Sequence, residues 1–478
     1  MQLPNPARRR LLLGAGAFWF AAPAILRATP APAPALRLPD LDPGRLAGGL
    51  RTYDLTVSAG QAEFFAGHLT DTIGINAPYL GPLLTMKAGD PIRLNVTNRL
   101  SDPAALHWHG LHLPARADGG PHQPIAPGTT WSPEFTVMQK AGSFWFHAHQ
   151  HQMTGVHVWA GMAGLIRIED DEEAALPLPR TYGEDDFSLV LQDRSFDADF
   201  QMPYAPQMHE RMGGMQGDRT LVNGQLDPVL STSAPLIRLR ILNGANGSIY
   251  RLHFADGRGF HQIASDGGLL AAPVALNEAL IAPAERCEFL LDLHDGQLAL
   301  LRAELFSAES PFAGPSGIRD VLTILPDRPR AAPSALPLRL ADLPPPPPQT
   351  GDTRHFDLTM TGAGLMGDPT INGQSYVHDR IDFTVPLGAT ETWVFENKTE
   401  MLHPMHIHDV QFRILSRNGA PPAPQEAGLK DVVLTHPGEK VELRLAFNDY
   451  ADPLAPYMMH CHILEHEDAG MMAQFTVV

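Results

Sequence analysis

The chain has 478 residues, 44% of them hydrophobic, with a formal net charge of −18 and two cysteines. That length suits two to four domains with sizeable cores. The acidic balance speaks against nucleic acid as a partner and leaves room for cationic substrates such as metal ions, and two cysteines exclude a disulfide framework.

Near the start, Arg8-Arg9-Arg10 precedes an apolar run from about Leu11 to Leu26, followed by Ala and Pro. This reads as a twin-arginine export signal over residues 1–36, with cleavage somewhere in 28–36 and a periplasmic or otherwise exported product. The run is short for a spanning helix and Pro30, Pro32 and Pro34 follow it, so no membrane association is expected once the signal is removed.

The rest of the chain repeats one unit three times. Ile92-Arg93-Leu94-Asn95-Val96-Thr97-Asn98, Ile237-Arg238-Leu239-Arg240-Ile241-Leu242-Asn243 and Glu391-Thr392-Trp393-Val394-Phe395-Glu396-Asn397 each alternate and end on Asn. Val222-Asn223-Gly224-Gln225 and Ile371-Asn372-Gly373-Gln374 open copies two and three alike. Short alternating runs among 42 Gly and 45 Pro predict an all-β chain of β-sandwiches. The copies are placed at 45–170, 180–328 and 352–478. A linker over 329–351 contains Pro344 to Pro348, a stiff extended spacer.

Histidines fall at fixed places in copies one and three. His107 and His109 follow Asn98 as His406 and His408 follow Asn397, while copy two has Leu252 and Phe254 there. His147-Ala148-His149 matches His460-Cys461-His462, and Ala160-Gly161-Met162 matches Ala469-Gly470-Met471. On a strand, residues i and i+2 share a face, so each His-x-His pair aims two imidazoles into one cavity. Eight imidazoles suit three ions. Cys461, His466 and Met471 make a thiolate, imidazole and thioether set, which selects copper. Zinc binds His and Cys, but it does not explain eight paired histidines beside one thiolate and one thioether. Ala148 stands where Cys461 stands, so only copy three can hold the mononuclear ion. The face-to-face pairing of copies one and three is expected to create the multi-ion cavity, with copy two holding them apart.

On these four motifs the chain, from about residue 50 to Val478, resembles the multicopper oxidases, and among them the bacterial copper-efflux (cuprous) oxidases and bacterial laccases. The resemblance implies three cupredoxin-like Greek-key β-sandwich domains in tandem and four copper ions. His403, Cys461, His466 and Met471 would bind the type 1 ion, with Met472 the lesser axial candidate. His107 and His406 would bind the type 2 ion. His109, His147, His149, His408, His460 and His462 would bind the type 3 pair. It further implies electron passage from the type 1 ion through Cys461, dioxygen reduction to water, and Asp118 and Glu467 as proton donors. A monomer is the common form. Some exported relatives keep this fold, lose the copper ligands and serve cell division as structural proteins; the complete ligand set here argues against that role and against a simple copper carrier.

The reductant is open between phenols and Cu(I). Cuprous oxidases carry a long Met- and His-rich insertion before the third-domain sites, whereas this chain has only Met360 and Met366 there. Glu400 and Met401, just before His403, are a candidate Cu(I) pair. Met202, Met208, Met212 and Met215 are a second cluster, read as core packing or as an exposed metal-binding loop. His403 or His466 is expected to present an imidazole edge to solvent for electron entry. Cys287 is expected as a buried free thiol. His112, His122, His151 and His157 are expected to pack or to support the ligands. Asp409 stands where many relatives carry Gly.

Overall fold

The computed structural model describes residues 33–307, 316–333, 335–361 and 367–478. The arginine-led segment through residue 32 and Met366 lie outside the described residues. Among these residues no helix is long and apolar enough to cross a membrane.

Six sheets pair into three sandwiches. The elements that position the site are, in chain order, β1 (Leu50–Phe65), β2 (Pro91–Asn98), β3 (Leu106–His109), β4 (Gly142–Ala148), α1 (Thr154–Ala160), β5 (Asp186–Arg194), α2 (Met208–Gly213), β6 (Leu236–Asn243), β7 (Arg286–Asp292), β8 (Thr353–Met360), β9 (Thr390–Asn397), β10 (His403–Ile407), β11 (Val432–Thr435), β12 (Tyr457–Cys461), α3 (Leu464–Asp468) and β13 (Met472–Val477). The alternating runs fold as read. β2, β6 and β9 each lie parallel to the strand that opens their copy, β1, β5 and β8. Each copy has its own apolar core, around Leu94, Leu239 and Trp393 respectively.

The repeated Asn has a physical cause. Asn98, Asn243 and Asn397 are fully buried. Each side chain donates to two backbone carbonyls: Asp102 and Ile125, Ser248 and Ile281, Met401 and Thr435. Each also accepts from the N–H two residues on, at Leu100, Ala245 and Thr399. One amide thereby ends the strand and fixes the loop that leads to the next one. A second set, Asn76, Asn223 and Asn372, has φ near +55° (58°, 51° and 55°). These accept from Thr56, Val190 and Asp357 N–H, tying each opening strand to its turn. Asn tolerates that left-handed backbone better than most residues. The copy-one member is followed by Ala77-Pro78 rather than Gly-Gln, which hides it in the sequence.

Pro34 to Leu36 already belong to the folded body. Leu36 N–H donates to Val229 O at 2.8 Å, Val229 N–H donates to Pro34 O at 2.8 Å, and Leu36 packs on the middle core. The prolines at 344–348 lie outside any helix or strand and are held by Arg413 at Pro344 O (3.2 Å) and Arg444 at Pro347 O (2.5 Å).

Copies one and three meet where α1 faces α3. The Asp468 carboxylate accepts from Thr154 N–H (3.1 Å) and Gly155 N–H (2.8 Å), and Glu467 accepts from the Thr154 hydroxyl (2.7 Å). Copy two joins copy three through buried ions, Arg286 with Asp431 and Lys430 with Asp266 and Glu285. It joins copy one where the Ser143 hydroxyl donates to Glu288, whose carboxylate also pairs with Arg238 and Arg240 within copy two. Burying so many charges is tolerable only because each is paired and hydrogen-bonded.

Candidate metal centre

The strands deliver the eight motif histidines to one cavity between copies one and three. β3 ends on His109, β4 carries His147, β10 carries His406 and β12 carries His460. Within it, three all-histidine sets bring one ligand atom from each residue within 4.8 Å of the others, His149, His408 and His460; His107, His406 and His408; His107, His109 and His147; a fourth joins His109 and His406 to Asp431. Nε2 of His408 lies 3.3 Å from Nε2 of His149 and 3.1 Å from Nε2 of His460. His462 joins none of these sets, but its ring lies 5.1 Å from those of His109 and His147.

Six of the eight rings are pinned by one nitrogen, leaving the other for the cavity. Nδ1 of His107, His147, His406 and His460 faces the carbonyls of Asp118 (2.9 Å), Ala148 (2.8 Å), Asp431 (2.8 Å) and Cys461 (3.1 Å). His408 Nδ1 donates to Asp118 Oδ2 at 2.6 Å, and His109 Nε2 to Asp431 Oδ1 at 3.2 Å. Such partners set tautomer and ring orientation. The free atoms are the telling ones. Nε2 of His107, His147 and His406, Nδ1 of His109, and both nitrogens of His462 are buried without a hydrogen-bond partner. Each orphan costs about 1–3 kcal/mol. A cation shared among them removes that cost, so the donor set fits metal ions. Burial, reinforced by neighbouring imidazoles, holds His109, His147, His406, His408 and His462 well below the ordinary histidine range and His149 at about 4. These six rings are therefore neutral, the form that ligates.

The second set is His403, Cys461 and His466. Both Nδ1 atoms lie 3.6 Å from Cys461 Sγ. Met471 is buried, and its backbone ties the set together: Cys461 N–H donates to Met471 O (3.1 Å) and Met471 N–H to His466 O (2.9 Å). Burial pushes the Cys461 thiol up, so a thiolate here needs a cation beside it. The imidazole edges do not reach solvent as the sequence reading expected, since His403 and His466 are both 0% exposed. His403 Nε2 abuts the Thr399 hydroxyl at 2.8 Å, and His466 Nε2 donates to Met212 O at 2.9 Å. Thr399 closes the His403 side, and the methionine segment closes the His466 side. Met212 and Met215 are buried against α3 rather than standing on an exposed loop, only Met208 projects, and α2 ends at Gly213, before Met215. Glu400 is exposed and Met401 buried.

Asp118 also lies 3.3 Å from His107 Nδ1, so one carboxylate braces two ligand rings. Glu467 reaches His149 Nδ1 (3.4 Å) with one oxygen and His460 Nδ1 (3.2 Å) with the other. Burial works to raise its carboxyl, but His149 and His460 outweigh that and hold it low. Cys287 is a buried free thiol. Sequence reasoning missed Asp431, which accepts from His109 and forms a bidentate pair with Arg286 (2.6 and 2.5 Å). Its segment Leu429-Lys430-Asp431-Val432 follows no motif, so only the fold reveals it.

A three-sandwich β-protein with imidazoles converging between its end domains and a Cys/His set in the last is the architecture of blue-copper oxidases. Profiles described as multicopper oxidase match residues 56–173 and 342–478. The multicopper oxidase mco of Staphylococcus aureus is 34% identical, covering 91% of each chain. The cell division protein FtsP of Sodalis glossinidius is 35% identical over 98% of each. Among solved structures, the bacterial laccase-like multi-copper oxidase CueO of Ochrobactrum sp. is 36% identical with TM-score 0.83, covering 93% of this chain and 100% of that one. The laccase of Pediococcus acidilactici is 35% identical with TM-score 0.84, covering 95% of each chain. The chain belongs to the multicopper oxidase family, and with the family comes copper binding.

Proposed function

We propose that the protein is an exported oxidase that couples four one-electron oxidations of a reductant, a phenol or Cu(I), to the four-electron reduction of dioxygen to two waters. The observation that carries this reading is the covalent link between the two buried sets. Cys461 of the first stands between His460 and His462 of the second.

In this reading, His403, Cys461, His466 and Met471 would hold one type 1 copper, His107 and His406 one type 2 copper, and the other six histidines a type 3 pair. Bound copper supplies one-electron redox chemistry at both places and the electrons that dioxygen takes up. The chain supplies geometry and protons. Asp118 fixes His107 and His408, and Glu467 fixes His149 and His460. Both carboxylates touch ligand rings in this cavity, and they also deliver the protons that water formation consumes. The domains run over 45–170, 180–328 and 352–478, joined by the 329–351 linker. The protein acts as a monomer after twin-arginine export.

The test is oxygen uptake by the copper-loaded protein with Cu(I) and with 2,6-dimethoxyphenol, and four electrons consumed per dioxygen is the expected result. The FtsP relatives give a second reading, a structural role in cell division. Full copper loading with a thiolate absorption band but no uptake with either reductant would favour it.

A further inference from the structure

We infer that His122 and His378 form a surface site for one borderline divalent cation, Zn(II) or Cu(II), which clamps copy one to copy three outside the copper ligand sets. The inference goes beyond the oxidase reading and stands whether or not the protein consumes dioxygen.

Among the described residues, three imidazole pairs stack with centroids no more than 4.2 Å apart, and each takes one ring from copy one and one from copy three. Two lie in the shared cavity, His107 on His408 (3.9 Å, 20° between planes) and His109 on His406 (3.7 Å, 14°). There the stacking serves ligation, since His107 and His408 belong to one set whose ligand atoms lie within 4.8 Å of one another. The third pair is His122 on His378, 4.2 Å apart at 24°. It has the same form and lies outside the cavity sets. His122 therefore supports no ligand ring: its face goes to His378 and its hydrogen bond to Gln474.

The nitrogens are prepared as in the cavity, one pinned and the other left over. Gln474, fully buried on β13, fixes the first ring. Its Nε2 donates to His378 O (2.8 Å) and Arg380 O (2.5 Å), with Val377 O at 3.4 Å, so carbonyls orient the amide and its oxygen faces His122. That oxygen only accepts, so His122 Nε2, 2.8 Å away, carries the proton and Nδ1 keeps the lone pair. Burial, helped by His378, holds this ring below the ordinary histidine range, in the neutral form that ligates. On the second ring, Nδ1 lies 3.3 Å from the Tyr376 hydroxyl, so Nε2 is the atom left to bind. The exposed Asp379 acts electrostatically on His122 and adds the negative charge a dication favours. His151 of copy one meets Tyr376 edge-on at 5.1 Å, and its Nδ1 is buried without a partner, a third imidazole at this junction. Neutral imidazoles beside a carboxylate suit Zn(II) and Cu(II), whereas Mg(II) and Ca(II) take oxygen ligands. An ion between rings from the two end copies opposes their separation.

The test titrates copper-filled protein with Zn(II), so that both ligand sets are already occupied. Calorimetry reads the binding and elemental analysis the copper retained. One added equivalent of zinc with all copper in place is the expected result. His378→Ala and His122→Ala, neither of them a copper ligand, should each weaken that binding by about tenfold or more. Asp379→Asn should weaken it by about threefold, the scale of an exposed charge. Zinc should also slow denaturant-induced unfolding of the wild type by about threefold or more and leave His378→Ala unchanged. No added equivalent, or one that survives either histidine variant, overturns the site, and the exposed His378 alone decides if His122→Ala does not fold. Zinc that enters only as copper leaves is exchange in the cavity and overturns it too. Binding that leaves the unfolding rate of the wild type unchanged overturns the clamp. Oxygen uptake plays no part in these readouts, so loss of the oxidase reading leaves the site to be judged on its own.

Discussion

Copies one and three are the same device finished differently. In both, a strand carries a His-x-His whose first ring donates Nδ1–H to the next residue's carbonyl, at Ala148 or Cys461. In both, that middle residue donates its N–H to a buried methionine carbonyl 3.1 Å away, Met162 or Met471. That methionine's N–H returns to a histidine carbonyl at 2.9 Å, His157 or His466, after a glycine with φ of 115° or 100°. His157 is therefore the counterpart of His466, displaced in the alignment by Gln150-His151-Gln152-Met153. Copy one keeps the histidine and the methionine of a mononuclear centre, with Ala148 in place of the thiol and Ala104 in place of His403. The lesson is that the fold provides the same niche twice, and two side chains determine whether it can take a metal.

The largest effect comes from making copy three like copy one. Cys461→Ala should abolish the thiolate absorption band and cut turnover by roughly a thousandfold or more, while the eight imidazoles keep their metal. Spectra and copper content on one sample check this. Next come the strand-end clamps. Asn243→Ala and Asn397→Ala should each lose about 2–4 kcal/mol of unfolding free energy, since each strands three buried backbone groups, and Asn98→Ala should lose less, since only one of its three partners is fully buried. Denaturant titration measures the loss. Only Asn397→Ala should also alter the thiolate band, because Asn397 orders Thr399 against His403.

Asp118→Asn should weaken metal retention in the shared cavity by about ten- to a hundredfold, assayed by chelator competition. A smaller effect tests a residue copy three lacks. His112 aligns with Gln411. Burial lowers its basicity, but Asp409, 2.7 Å away, outweighs this and raises it to about 9. That exceeds the ordinary 6.5, and burial raises Asp409 itself to about 6, so the contribution is in place near pH 6.5, fades as pH rises through 9, and is lost below about 6 as Asp409 takes up a proton. It amounts to about 1–2 kcal/mol, and His112→Gln should flatten this part of the stability profile. The least disruptive change is Ala148→Cys. It should add one equivalent of tightly held Cu(I), removed again by His157→Ala, and no extra equivalent would mean the shared backbone does not carry a shared niche.

Much of this was legible in the chain. The Asn-terminated runs gave strands because alternation and a buried amide at a fixed place are local facts. The His-x-His spacing gave convergence because two-residue periodicity leaves a strand no other choice. What escaped was set by distant neighbours. Arg286 and Asp431 meet across two domains with no shared motif. The solvent-facing imidazoles failed because Thr399 closes over His403 and a segment of the middle domain, rich in methionines that suit either a core or a loop, lies over His466. His157 read as packing because four inserted residues shift it out of register.

The cavity between the end domains has one more consequence. Its ligands are drawn from both extremities of the folded chain, from β3 and from β12. Ions held there act as a rivet between parts of the polymer that meet only after nearly everything else has folded. Closing so long a loop is slow and entropically expensive, and tight binding to the closed form returns stability by mass action. Metal occupancy and resistance to unravelling should then rise and fall together, making the copper supply of the compartment a determinant of how long each molecule survives there.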